Sequence, residues 1–292
     1  MAKEEIELSI FDTEEKLSRH KKVLQKFHTH PFHYPDVSDL HRHFSGYDVL
    51  VHLACTTEPA SSMESMVYDA RTNIVSSLEV FQAAIEVGIE RIIFSSSGGT
   101  VYGIPQTLPV REDDIKNPIC AYGVSKLSIE QYLNLHSTNN SVKGISLRIG
   151  NPYGIFQFEG TTIGIVAHFL SAISKGNELQ VWGDGSIVRD YIDIESVARA
   201  FFTAITLSSL PSGSYNIGTG KGVSINELIE LLFNVTGRRV PVKYNHGRSF
   251  DVPRIFLDSS RFRSITSWHP LISLEEGIRG MWDYLKSRQM MI

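Results

Sequence analysis

Short runs rich in β-branched and aromatic residues alternate along this chain with longer stretches that repeat at the helical period. The runs at 6–11 (IELSIF), 47–54 (YDVLVHLA), 90–97 (ERIIFSSS) and 142–150 (VKGISLRIG) predict strands. The plainest helix carries Val67, Ala70, Ile74, Leu78, Phe81 and Ile85, spaced 3, 4, 4, 3 and 4, which predicts one apolar face ended by Gly88. VLVHLA and RIIF are apolar on both faces, as strands are when helices cover both sides of a parallel sheet. Strands and helices in alternation predict a doubly wound α/β fold. Beyond about residue 160 the elements shorten, to a helix over 163–174, strands at 179–182 and 188–194, a helix over 195–207 and a strand at 214–218. The change predicts a first domain over 1–157 and a smaller α/β lobe over 158–292, with some strands and helices returning to the first domain. Ser224-x-x-Glu227 and Ser273-x-x-Glu276 read as capping boxes.

Composition narrows the function classes. Of 292 residues, 42% are hydrophobic and 21% charged, as in an ordinary globular protein. The 28 basic against 32 acidic residues leave −4, so no overall positive field draws the chain to nucleic acid or an anionic membrane. Lys16, Arg19, Lys21, Lys22 and Lys26 read as the solvated face of a helix. Two cysteines, Cys55 and Cys120, make neither a disulfide framework nor a four-ligand zinc site. The longest charge-free stretch, Ala200 to Gly220, contains Pro211 and three glycines, and the N-terminus lacks an apolar signal core, so a cytoplasmic protein is expected. His28, His30 and His33 have neither a nearby cysteine nor helical ligand spacing, and no metal is expected.

Tyr122 and Lys126 stand four apart in a predicted helix, so phenol and ammonium share a face. A tyrosine titrates near ~10, and a base working near pH 7 needs about 4 kcal/mol of help from positive charge. Upstream, the strand ERIIF runs into Ser95-Ser96-Ser97-Gly98-Gly99-Thr100-Val101-Tyr102-Gly103. Hydroxyls at the carboxyl end of a strand face the crevice where α/β sheets bind ligands.

With VLVHLAC, the Asn73 helix, LRIGNPYG, VWGDGSIVRDYIDI, YNIGTGKGVSINELI and RSFDVP in the same order, these segments resemble the extended short-chain dehydrogenase/reductase family, in its NAD-dependent nucleotide-sugar epimerase/dehydratase branch. The resemblance covers nearly the whole chain and implies a Rossmann-like first domain, NAD as cofactor and epimerisation at C4 of a nucleotide-diphosphate hexose through a 4-keto sugar. Tyr122 would be the acid/base toward the sugar hydroxyl, and Lys126 would lower its pKa and hold the nicotinamide ribose. The family's catalytic Ser/Thr falls on Gly98 here, so Ser97 takes that role, with Thr100 in reserve. Asp12 would accept from the adenosine ribose, although Asp12-x-x-Glu15 also reads as a capping box. Asp36 and Val37 would meet the adenine, and Leu53, Ala54, Asn73 and Ser95 would line the rest of the cofactor site. For the substrate, Asn151 would meet the diphosphate or hexose, Val166, Val181 and Trp182 the base, Arg189 and Arg248 the phosphates, and Asp251 a ribose hydroxyl. Arg189-Asp190 could equally be a strand-edge ion pair, and Trp182 core. Ile255 matches the position that limits substrate size, which would admit N-acetyl sugars.

Two departures qualify the resemblance. The first glycine is Gly46, so the phosphate-cradling glycine turn and its strand are expected to be missing, which would split the sheet between the family's second and fourth strands. Gly218-Thr-Gly-Lys-Gly222 lies in the second lobe and does not replace it. No acid follows the hydroxyl position, which disfavours dehydration, the alternative within the branch together with 4-keto reduction. The lost turn also leaves open a catalytically dead relative that binds nucleotide sugar. The helices over 64–87 and 121–136 resemble the family's dimer pair and imply a homodimer.

Overall fold

The computed structural model describes residues 6–34, 40–139, 142–158 and 164–289. The first half runs β1 (Ser9–Asp12), α1 (Glu14–Arg19), α2 (Lys21–Leu24), β2 (His28–Pro31), α3 (Leu40–Phe44), β3 (Val49–His52), α4 (Pro59–Glu64), α5 (Met66–Asp69), a π-helical turn (Ala70–Val75), α6 (Ser76–Glu86), β4 (Arg91–Ser97), α7 (Ala121–Asn139) and β5 (Lys143–Ile149). The second runs β6 (Asn151–Tyr153), α8 (Ile165–Lys175), β7 (Leu179–Trp182), β8 (Val188–Arg189), β9 (Tyr191–Asp193), α9 (Ile194–Thr206), β10 (Gly213–Ile217), β11 (Val223–Ser224), α10 (Ile225–Thr236), β12 (Val242–Asn245), α11 (Ser260–Thr266) and α12 (Leu274–Gln289).

The main sheet is wholly parallel, in the order β10-β5-β4-β3. Its side chains alternate between two cores. Ile92 and Phe94 pack with Phe44, Phe81, Ile129 and Leu133 from α3, α6 and α7, while Ile93 packs with Val197, Ala200, Phe262 and Trp268 from α9 and the C-terminal segment. Burying each such side chain contributes roughly 1.5–3 kcal/mol. The stretch over 195–207 thus covers the first sheet, and β10, from residue 213 onward, completes it. A third core joins α8, β7, α10 and α12.

β1 and β2 pair parallel to each other in a sheet of their own. Among the described residues no strand pairs with the edge of β3 away from β4. Val49, Leu50 and Val51 are accordingly only half-buried despite their apolar sequence, and Leu53 beyond them is 59% exposed. The two sheets meet through side chains, with the Tyr47 hydroxyl donating to Ser9 Oγ at 2.7 Å and Phe11 packing edge-on to Phe44 and Tyr47.

Two predicted elements are broken by side-chain chemistry. The helix expected over 67–85 as one amphipathic rod contains the π-helical turn, and its first half buries Asp69, Thr72, Asn73, Ser76 and Ser77 rather than the apolar stripe. The strand expected over 188–194 is divided at Asp190, whose carboxylate accepts N–H groups of Thr219, Gly220 and Leu257. That carboxylate anchors the Gly218–Gly222 turn, giving the motif a structural role. Both predicted capping boxes form, at Ser224 with Glu227 and at Ser273 with Glu276. Thr13, not Asp12, caps α1. Asp12 pairs with Lys16, and Arg19 with Glu15. No helix of the described residues is long and apolar enough to cross a membrane.

Candidate active site

A cavity of about 410 Å³ opens at the carboxyl ends of β4 and β5, lined by Ser95, Ser96, Ser97, Gly99, Thr100, Tyr122, Asn151, Arg189, Arg248 and Asp251, with Glu58, Pro59 and Phe250. A smaller pocket beneath it is lined by Ala54, Cys55, Asn73, Tyr122, Ser125, Lys126 and Ile129. Tyr122 lines both. Its place is set from two sides. Its backbone N–H donates to Ser62 Oγ at 3.0 Å, so α4 satisfies one of the orphan amides opening α7. One turn on, Ser125 donates to the buried Asp69, which also receives Thr57 Oγ1 and Asn73 Nδ2. The π-helical turn next to Asp69 brings Asn73 Oδ1 to within 2.9 Å of the Thr56 N–H.

Lys126 is buried, its Nζ donating to the Ser95 carbonyl at 2.9 Å and lying 5.4 Å from the centre of the Tyr122 ring. Burial pushes the Lys126 ammonium down. The helical spacing therefore places the pair as expected, but their electrostatics differ from the expectation that Lys126 lowers the phenol. Burial, reinforced by Cys55, Cys120, Glu58 and Asp69, pushes Tyr122 well above the usual tyrosine range. Positive charge from a bound nicotinamide ring is what would bring it back.

The glycine at the family's hydroxyl position has a steric cause. A Cβ on Gly98 would lie 2.4 Å from Leu257 Cδ1 and 3.1 Å from the Arg148 carbonyl, so that face packs against the second half of the chain. Ser97 and Thr100 flank it in the cavity lining. Thr100 Oγ1 is buried without a hydrogen-bond partner. Behind the serine strand, Arg148 pairs with Glu130 at 2.6 Å, both nearly inaccessible, and donates to the Tyr102 hydroxyl at 2.9 Å. Ser96 donates to the same Glu130, which ties the strand end to α7.

At the other end, Arg189 donates to the Val252 carbonyl at 2.5 Å and stands 3.9 Å from Asp251, so its ionic neighbour is Asp251 and not Asp190. Arg248 lies over Trp182 at 4.5 Å, and Trp182 is 45% exposed and not core. Val166 and Val181 are buried in the core that joins α8, β7, α10 and α12, and Ile255 packs with Val101, Tyr102 and Leu257. None of these three side chains lines the cavity. Asp36 and Val37 lie outside the described residues. His30 stacks on Phe11, and among the described residues no three His, Cys, Asp or Glu side chains gather as metal ligands. Glu58, Ser62, Asp69, Ser125 and Glu130 escaped the sequence reading; the polar positions flanking Lys126 in α7 were the only hint.

A profile of the NAD dependent epimerase/dehydratase family matches residues 2–218. The chain belongs to this family. It is an NAD-dependent enzyme with a Rossmann-like α/β fold. The chain is 31% identical over 244 residues to a UDP-glucose 4-epimerase of Mycolicibacterium smegmatis, covering 82% of this chain and 77% of that protein. It is 31% identical over 284 residues to a dTDP-4-dehydro-6-deoxyglucose reductase of Escherichia coli, covering 95% and 89%. A crystal structure of UDP-glucose 4-epimerase from Thermotoga maritima with UDP-glucose superposes with TM-score 0.86 at 30% identity, over 97% of this chain and 100% of that one. A UDP-glucose 4-epimerase from Stenotrophomonas maltophila with bound NAD gives 0.87 at 25%, over 98% and 92%.

The nicotinamide half of the cofactor fits these residues. Lys126 keeps two N–H donors beyond the one given to Ser95, at a pocket walled by Ala54, Asn73 and Tyr122. Asp12 ends β1 with its carboxylate partly exposed. No glycine precedes Gly46 in this sequence, and no residue here is assigned to the pyrophosphate.

Proposed function

We propose that the chain epimerises C4 of a nucleotide-diphosphate hexose of the UDP-glucose/UDP-galactose type, N-acetyl forms included. The observation that carries the reading is one cavity with Tyr122, Ser97 and Thr100 at one end and Arg189 and Arg248 at the other. Guanidinium forks suit phosphate oxygens, and the hexose then lies against the phenol. Bound NAD supplies the hydride acceptor. Tyr122, as phenolate, takes the C4 hydroxyl proton and returns it after the 4-keto sugar has turned over, while Lys126 holds the cofactor ribose. The serine turn reads Gly98-Gly99 where dehydration needs an acid, and the two carboxylates in the cavity come from elsewhere, Glu58 from the start of α4 and Asp251 from beside Arg189. The similarity to UDP-glucose 4-epimerases supports the same reading.

Thr100 is the better candidate for the hydrogen bond to the substrate. A buried hydroxyl left unmade costs about 1–3 kcal/mol, which a sugar oxygen would recover. With the NAD-loaded protein, UDP-glucose and UDP-galactose are expected to interconvert. Thr100→Val should lower kcat by roughly 100-fold and Ser97→Ala by less than about 10-fold. Binding of UDP without NAD or turnover would overturn the enzyme reading in favour of a binding relative.

We also read the chain as a cytoplasmic protein of two lobes, 1–157 and 158–292, that forms a homodimer. Of the stripe that the helical period predicted as core, Phe81, Ile74 and Ile85 do pack inward, but Val67 is exposed, together with Met66, Tyr68 and Val75 and with Val124, Tyr132 and Leu135 of α7. Contiguous exposed apolar surface of this kind marks an interface. Sedimentation should give a dimer for the wild type and a monomer for Val67→Asp/Leu135→Asp; a monomeric wild type removes the claim.

A further inference from the structure

The cavity carries opposite charge at its two ends. Arg189 and Arg248 mark the end toward Trp182, whereas Glu58 stands with Tyr122. Glu58 directly precedes α4, and one turn further on Ser62 accepts the Tyr122 N–H, which holds the start of α4 against α7 and brings the exposed Glu58 to the same cavity as the phenol. Glu58 is also among the groups that raise Tyr122, while Arg189 takes its ionic contact from Asp251. No cation lining the cavity other than the two arginines is present among the described residues. Lys126, beneath Tyr122, is directed to the Ser95 carbonyl.

We infer that Glu58 determines substrate class, admitting neutral hexoses and turning away hexoses that carry a carboxylate. A sugar whose C4 reaches Tyr122 shares the cavity with Glu58, so a uronate carboxylate there meets a like charge and is repelled more strongly the nearer it lies to that side chain. Neutral hydroxyls can instead donate to the carboxylate. The inference rests on the C4-epimerase reading of the site.

The test uses the full-length, NAD-loaded protein with UDP-glucose and UDP-glucuronic acid, measuring both kcat/KM and the dissociation constant by calorimetry. The wild type should favour UDP-glucose by about 100-fold, a gap that narrows between 0.05 M and 0.5 M salt as charges are screened. Glu58→Gln should close the gap by at least about 10-fold, chiefly through the uronate, and Glu58→Asp should keep it. Equal use of the two sugars by the wild type, or an unchanged gap in Glu58→Gln, would overturn the inference. Should neither sugar be turned over, the epimerase reading fails while the binding ratio still decides Glu58. Binding of neither overturns both. If Glu58→Gln does not fold, the wild-type salt series decides, and a gap that salt leaves unchanged overturns the inference.

Discussion

Tyr122→Phe is expected to lower kcat by about 1,000-fold while leaving NAD and UDP-sugar binding within a few-fold, because it removes the proton acceptor and little else. The size follows from the site's electrostatics. Burial and the surrounding acids hold the phenol protonated, and Lys126, tied to the Ser95 carbonyl, lies below the ring. An acid that must lose its proton to work, and whose pKa is raised, gives a rate that climbs as pH rises. The wild-type kcat should therefore increase from pH 6 toward 9, and the residual rate of Tyr122→Phe should be flat over that range. A variant that keeps more than a tenth of wild-type kcat would show that the proton goes elsewhere.

The largest effect on stability is expected at Arg148. Its guanidinium and the Glu130 carboxylate are both almost fully buried and bonded through two nitrogens. Arg148→Met leaves Glu130 charged, buried and answered only by Ser96 and Ser214, which should cost about 3–5 kcal/mol. For a chain of this size that lowers Tm by roughly 10 °C. Replacing both residues by methionine should recover much of the loss, since the cost lies in the stranded charge and not in a missing attraction. Thermal unfolding of the two single variants and the double one measures the coupling; additive losses would mean that the pair does not act as a unit.

Much of this architecture is legible from periodicity. Strands at 90–97 and 142–150 begin and end within a residue of β4 and β5 because helices bury both their faces, whereas the run at 47–54 shrinks to four residues at an open edge. Periodicity misleads where polar burial competes with it. Asp69 and Asn73 are buried because Thr57 and Ser125 satisfy them, and Val67 at the start of the stripe is left exposed while Phe81 further along stays in the core. In the site, helical spacing puts Tyr122 and Lys126 on one face, and the serine turn upstream with the family resemblance singles the pair out. Arg189, Arg248, Asn151 and Asp251 needed the family resemblance, since tertiary structure brings them from separate segments. The same resemblance pointed to Val166, Val181 and Ile255, whose side chains pack in the hydrophobic cores, and neither route could find Glu58, 64 positions before Tyr122 in the chain.

The covering of the main sheet has a consequence for biosynthesis. One of its two faces is closed by α9 and then by Phe262 and Trp268, whose indole donates to the Ser196 carbonyl at 2.9 Å, and β10 joins the sheet only after residue 213. Strands β3, β4 and β5 therefore leave the ribosome long before that side is shielded, with Ile93, Ile145 and Leu147 bare. At about 5–20 residues per second the exposure lasts for several seconds, long enough for a chaperone to engage it. The main sheet is consequently not an independent folding unit in order of synthesis, and it becomes native only when the last third of the chain has been made.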